Sequence, residues 1–142
     1  MPDQKKSNHG QVEHLNPDGL IKNPAFSQAV AVTGPVRTLY IGMQNAVDGN
    51  RTIVGKGDIA AQTEQALKNI DLCLAAGGAG PEHVIMLTIY IVQGQSAQDG
   101  FAAAMSWLRK CPNPPANNVV FVSSFTPPDF LVGISAIAVV PL

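Results

Sequence analysis

Residues 58–77 read DIAAQTEQALKNIDLCLAAG, and the spacing of Ile59, Thr63, Ala66, Leu67, Ile70 and Leu74 within them decides the fold. Steps of three and four residues gather these side chains on one face of an α-helix. Asp58 stands where an N-cap accepts the first free amides, and Gly77-Gly78 supplies the backbone on which a helix ends. A helix with one apolar stripe needs a surface to cover. The next segment, Val84–Val92 (VIMLTIYIV), is apolar and rich in β-branched residues, which predicts a central strand covered on both faces.

Further along, Ser96 and Asp99 make a capping signal for a second helix over 97–110, with Phe101, Ala104, Met105 and Leu108 as its predicted buried face. Pro112, Pro114 and Pro115 end it, and strands are expected over Asn118–Ser123 and Leu131–Val140. Before the first helix, Gln28–Thr33, Thr38–Ile41 and Thr52–Val54 read as short strands of an antiparallel meander, with Asp48-Gly49 at a tight turn. Residues 1–16 lack periodicity and are expected to be a disordered leader, so that a single domain runs over 17–142. Strands, helix, strand, helix and strands in that order predict an α+β architecture: a mixed sheet with two helices packed on one face.

The chain has 142 residues, of which 46% are hydrophobic and 13% charged, against roughly 25% charged in an ordinary soluble domain. From Cys111 to Leu142 the only charged residue is Asp129. Helices can cover one face of such a sheet, and the shortage of charge on the other face predicts contact with further copies of the chain. No uninterrupted apolar stretch reaches the length of a membrane span, so no membrane partner is expected. A net charge of −1 gives no electrostatic footprint for a nucleic-acid backbone. Met1 to Gly10 is polar and carries no secretory h-region, which with only two cysteines, Cys73 and Cys111, makes the cytoplasm the expected location.

Familiar chemistries find little support. His9 and His14 fall in the expected leader, His83 sits in a turn, and neither cysteine has a partner at zinc-site spacing, so no metal is expected. Cys111 follows a helix C-terminus, where the dipole disfavours a thiolate, and reads as an inert thiol. Gly55-Lys56-Gly57 lacks the spacing of a phosphate loop and reads as a loop-to-helix junction.

The run from Gln62 to Ile70 followed by Leu74-Ala75-Ala76-Gly77 resembles the first helix of the Rid family, the reactive intermediate deaminases also called YjgF-like proteins. Thr88-Ile89-Tyr90-Ile91 resembles that family's next strand, Pro115-Ala116-Asn117-Asn118-Val119-Val120 its proline-alanine-arginine segment, and Val132 to Ala138 its closing strand. The resemblance spans about residues 17–140. It implies a chorismate-mutase-like subunit in a homotrimer with clefts between subunits. It also implies hydrolysis of enamines and imines to ammonia and a 2-keto acid, with no cofactor, by way of an arginine that grips the substrate carboxylate.

At the positions that matter the chain departs from this pattern. Asn117 stands in place of the arginine, Gly133 and Ser135 in place of acidic residues, Phe26 in place of a tyrosine, and Ile41 in place of the serine before Gly42-Met43-Gln44. Arg37, Arg109 and Lys110 read as surface charges rather than substitutes. The expectation is therefore a Rid-like homotrimer that binds a small metabolite in an uncharged intersubunit cleft without 2-imino acid deaminase activity. Phe26, Gly42, Met43, Gln44, Asn117, Asn118, Gly133 and Ser135 are placed around that cleft, with Asn117 as the leading candidate for orienting the ligand. Alternatives are a metal-free enamine/imine deaminase with a modified site, an RNA-binding or ribonuclease protein, and a structural scaffold.

Overall fold

In the computed structural model, which describes residues 9–142, the 58–77 stretch forms α1 (Ile59–Ala76). Asp58 is extended and its Oδ1 accepts from the Ala61 N–H at 3.1 Å. At the other end the Gly77 N–H closes on the Cys73 and Leu74 carbonyls. Gly78 follows at φ +74°, a conformation that a side chain would strain. Both ends thus obey local rules, and the helix buries the face read from its spacing, with Gln62 added to it.

The surface that α1 covers is a four-stranded mixed sheet. Its strands are β3 (Val36–Gln44), β4 (Val84–Val92), β5 (Ala116–Val122) and β6 (Val132–Pro141), in the order β3-β6-β4-β5. β6 is antiparallel to both its neighbours, whereas β4 and β5 run parallel. A parallel pair needs a crossover, and α2 (Ala97–Leu108) supplies it. Both helices lie on the same face of the sheet, with a core around Ile70, Leu74, Leu87, Val132 and Ile134 between the layers. No helix among the described residues is long and apolar enough to cross a membrane.

Three local expectations are corrected. Residues 11–15 are not frayed: they form β1 (Gln11–Leu15), antiparallel to β2 (Ala29–Thr33), with Gln11 opposite Thr33 and Leu15 opposite Ala29. The strand half-buries only Val12 and His14, too short an alternation to stand out in sequence. Residues 1–8 of the expected leader lie outside the described residues.

The meander does not form either. β2 pairs with β1 alone, and Gly34 (φ +80°) with Pro35 turns the chain into the other sheet. Thr52–Val54 contributes a single bridge, Val47 to Ile53, below a turn in which Asp48 Oδ1 accepts from the Asn50 and Thr52 amides.

Finally, α2 buries Gly100, Ala104 and Trp107, a face rotated by about one residue from the one read in sequence. The cause is Trp107, whose Nε1–H donates to Asp71 Oδ1 on α1 at 2.8 Å and fixes the helix rotation. Phe101 is left 46% exposed.

Side chains alternate between the two faces of the sheet. Leu87, Ile89 and Ile91 of β4, with their register partners Asn117, Val119 and Phe121 on β5, face the helices. Thr88 and Tyr90, with Asn118 and Val120 on β5 and Ser135 and Gly133 on β6, face the opposite way. Across the four strands Arg37 is the one charged residue, and its Nη1 donates to the Gly77 carbonyl at the end of α1. The face of these strands away from the helices therefore carries no charged side chain, and no layer among the described residues covers Tyr40, which is 80% exposed.

Candidate functional site

Gly100 and Ala104 bring α2 close to α1, yet between α2 and the β5 side of the sheet a cavity of about 290 Å³ remains. Leu87, Ile89, Ile91, Val132 and Ile134 form its floor, Thr63, Leu67, Phe101, Ala104 and Trp107 its helical walls. Asn117 and Val119 on the sheet edge and the Asn23–Phe26 turn complete it. Among the described residues, no charged one lines it.

The turn that carries Phe26 is held by the segment expected to be loose. The Ser27 N–H donates to the Pro115 carbonyl at 3.2 Å and the Ser27 hydroxyl donates to the Pro114 carbonyl at 2.5 Å. With its hydrogen so engaged, Ser27 Oγ accepts from Nδ1–H of His14 on β1 at 2.8 Å. Asn23 Oδ1 accepts from the Ala25 N–H at 2.8 Å, and the Gln28 side chain donates to the Ile21 carbonyl. β1 thereby clamps the turn against the start of β5, so that Phe26 and Asn117 line the same cavity. Ser27, 2% exposed and bonded on both sides, has no access to a substrate as a nucleophile.

Of the residues read from sequence, Phe26 and Asn117 line this cavity. Asn118 and Ser135 face each other across Thr88 on the opposite side of the sheet, so one protomer does not bring them to Asn117. Gly133 lies on that side too, and a Cβ built on it would sit 2.7 Å from Met43 Sδ and 3.0 Å from Asn45 Nδ2. Asn45 is fixed there by donating to the Val132 carbonyl at 2.9 Å, so the space a larger side chain at 133 would need is occupied. Gly42 and Met43 are exposed at the register shift between Ile41 and Gln44, and Gln44 turns back to donate to the Gly42 carbonyl.

Electrostatically the cavity is neutral. Arg109 lines a neighbouring groove that shares Asn23, Ala25, Phe101 and Leu108 with it. Burial, then the negative charges of Glu82 and Asp71, push the Cys111 thiol up to about 11, and its Sγ donates to the Pro81 carbonyl at 3.4 Å. That agrees with an inert thiol. His83 Nδ1 accepts from the Gly80 N–H at 3.0 Å, a capping role within its turn.

Sequence reasoning passed over Trp107, Gly100 and Thr63 as cavity walls. The single tryptophan three and seven residues from Ala104 and Gly100 was the available signal. It also passed over Gln62, fully buried, which donates to the Gly55 and Asp129 carbonyls (3.2 and 2.9 Å) and accepts from the Leu131 N–H (2.8 Å).

Residues 20–140 match the family described as Endoribonuclease L-PSP. The RutC family protein slr0709 of Synechocystis is 31% identical over 120 residues, which is 82% of this chain and 86% of that protein. Among solved structures, YyfB of Yersinia pestis, a conserved Rid-family protein of unknown function, superposes with a TM-score of 0.81 at 31% identity, over 91% of this chain and 98% of its own. A Mycobacterium tuberculosis member of the YjgF/YER057c/UK114 family superposes with a TM-score of 0.62 at 28% identity, over 80% of this chain and 86% of its own.

Proposed function

The chain belongs to the Endoribonuclease L-PSP family, to which the Rid-like resemblance of its helix and strands also pointed, and on that premise we propose that it binds a small uncharged metabolite and does not deaminate 2-imino acids. The observation that carries this reading is the cavity holding Phe26 and Asn117 with no charged residue among the described residues of its lining. An arginine at position 117 would grip a carboxylate through two charge-assisted hydrogen bonds, each worth roughly 1.5–3 kcal/mol. A neutral amide cannot replace them, and every 1.4 kcal/mol lost weakens capture about tenfold. On the other side of the sheet, Met43 and Asn45 crowd Gly133, where the resemblance implies a glutamate.

The working unit in this proposal is a homotrimer of single-domain subunits in the cytoplasm. Its support is the uncharged face of the sheet with Tyr40 and Val120 exposed on it, a surface suited to burial against further copies. In such an assembly the cavity opens at the β5 edge, so that a neighbouring copy would border its mouth. The family's description speaks of ribonuclease activity. For this chain, the scattered cations and the engagement of His14 and His83 in structural hydrogen bonds weigh against that activity.

The test is a panel of 2-imino acids generated in place from amino acids, with the oligomer measured by sedimentation. No turnover above the buffer rate and a trimeric mass are expected. Turnover that disappears in Asn117→Ala would establish the deaminase instead, and a stable soluble monomer would remove the trimer.

A further inference from the structure

Most hydrogen-bonding groups around the cavity are already engaged. Thr63 Oγ1 donates to the Ile59 carbonyl at 2.8 Å, Trp107 Nε1–H is held by Asp71, and Asn23, exposed at the mouth, has its Oδ1 taken by Ala25. Asn117 differs: half-buried on the wall, its amide makes no hydrogen bond among the described residues. Its two N–H donors and its carbonyl therefore face a space otherwise bounded by apolar groups.

Resting on the reading of this cavity as a ligand site, we infer that it selects a neutral carboxamide or lactam carried on one ring or a branched alkyl group, with Asn117 pairing to the amide edge. A side-chain amide presents a donor and an acceptor side by side, and this pair matches an edge that offers an acceptor and a donor in the same plane. Asparagine reads adenine by the same two-bond geometry. The apolar body of the ligand packs on Phe26, Phe101, Leu87 and Ile89. The volume of about 290 Å³, at the small end of the roughly 300–1,000 Å³ of ligand pockets, suits a body of one ring or a branched alkyl group.

Charge works against the alternatives. A carboxylate or an ammonium would lose its water on entry and meet no counter-ion in the lining. A hydrocarbon would fit the walls and leave the Asn117 amide unpaired.

The experiment titrates the whole purified protein with four single-ring probes: benzamide, toluene, benzoate and benzylamine. Binding is followed by the indole N–H resonance of Trp107, the only tryptophan. Benzamide is expected to bind at least tenfold more tightly than the other three. In Asn117→Leu this preference is expected to collapse to within about twofold of toluene, with toluene binding retained. Asn117→Ala carries the same comparison should the leucine variant fail to fold.

Equal binding of benzamide and toluene to the wild type, or a preference that survives in both variants, would overturn the amide selection while leaving the ligand site standing. Benzoate binding as tightly as benzamide would overturn it as well, by bringing in a cation such as Arg109. Failure of all four probes up to their solubility limits would bring down the selection and the ligand site together.

Discussion

The two helices sit on the same sheet and treat polar groups in opposite ways. Around α1 every buried amide side chain is engaged: Gln62 bonds to Gly55, Asp129 and Leu131, while Asn69 donates to the Asn45 and Val47 carbonyls and accepts from Gln65. Around α2 the packing stops short of the β5 edge, and Asn117 keeps its amide free. The α1 side has the order expected where a sheet must be fixed. The α2 side leaves a space and, on the proposed reading, a recognition group. That reading divides stability and recognition between two neighbouring helices, and each half of the division is open to experiment.

The largest effect is expected from Gln62→Leu. The substitution keeps the approximate volume but, at a side chain with 0% exposure, strands the Leu131 N–H and removes the donor from the Gly55 and Asp129 carbonyls. A buried backbone group left unsatisfied costs about 1–3 kcal/mol, so a loss of about 3 kcal/mol or more is expected in urea unfolding. A loss below about 1 kcal/mol would mean that the α1 side is no more dependent on its hydrogen bonds than the α2 side, and the contrast would fail.

What could be read from the sequence follows the range of the forces involved. Asp58 and Gly77-Gly78 act within a turn or two, so the limits of α1 were plain from residues 58–77. The pairing of β1 with β2 is set across residues 16–28, and nothing local in Gln11–Leu15 announces it. The rotation of α2 escaped because Phe101 and Met105 are as apolar as a core residue, and the decisive contact is Trp107 with Asp71, 36 positions apart. Gln62 reads in sequence as a flaw in an apolar stripe, and only its tertiary partners explain it. The division of the candidate site is different. Asn117 and Asn118 are adjacent in a strand, so the period of two already forbids both from facing one cavity of the same subunit. Phe26 and Asn117 were found by resemblance to a family pattern, whereas their meeting depends on the His14–Ser27 clamp.

The end of α2 offers an intermediate effect through pH. The Cys111 thiol is raised from 9.0 to about 11, chiefly by burial, so the folded state favours the protonated form. Its contribution to stability is full below pH 9 and is lost as the pH rises from 9 towards 11. The free energy involved is at most about 2–3 kcal/mol. Wild-type protein is expected to lose more stability across this window than Cys111→Val, in paired unfolding curves at pH 8 and 10.5. Parallel curves would show a Cys111 site open to water, and the closed packing would then not extend to the end of α2.

The smallest effect on stability is expected at Asn117, and it is the more instructive for using the same kind of edit as Gln62→Leu. Asn117→Leu also exchanges an amide for an alkyl group with the same branching, but here no partner among the described residues is left behind. The new side chain meets an apolar wall that includes Leu87 and Val119. Unfolding free energy is expected to change by less than about 0.5 kcal/mol, the range of a substitution that breaks no packing or hydrogen bond, with any change towards stabilisation. The two variants measured side by side separate an amide held for the fold from one held for a ligand. A destabilisation at Asn117 comparable to that at Gln62 would mean that Asn117 has a structural partner, contributed within the assembled oligomer, and its free amide would no longer mark the cavity as a site of recognition.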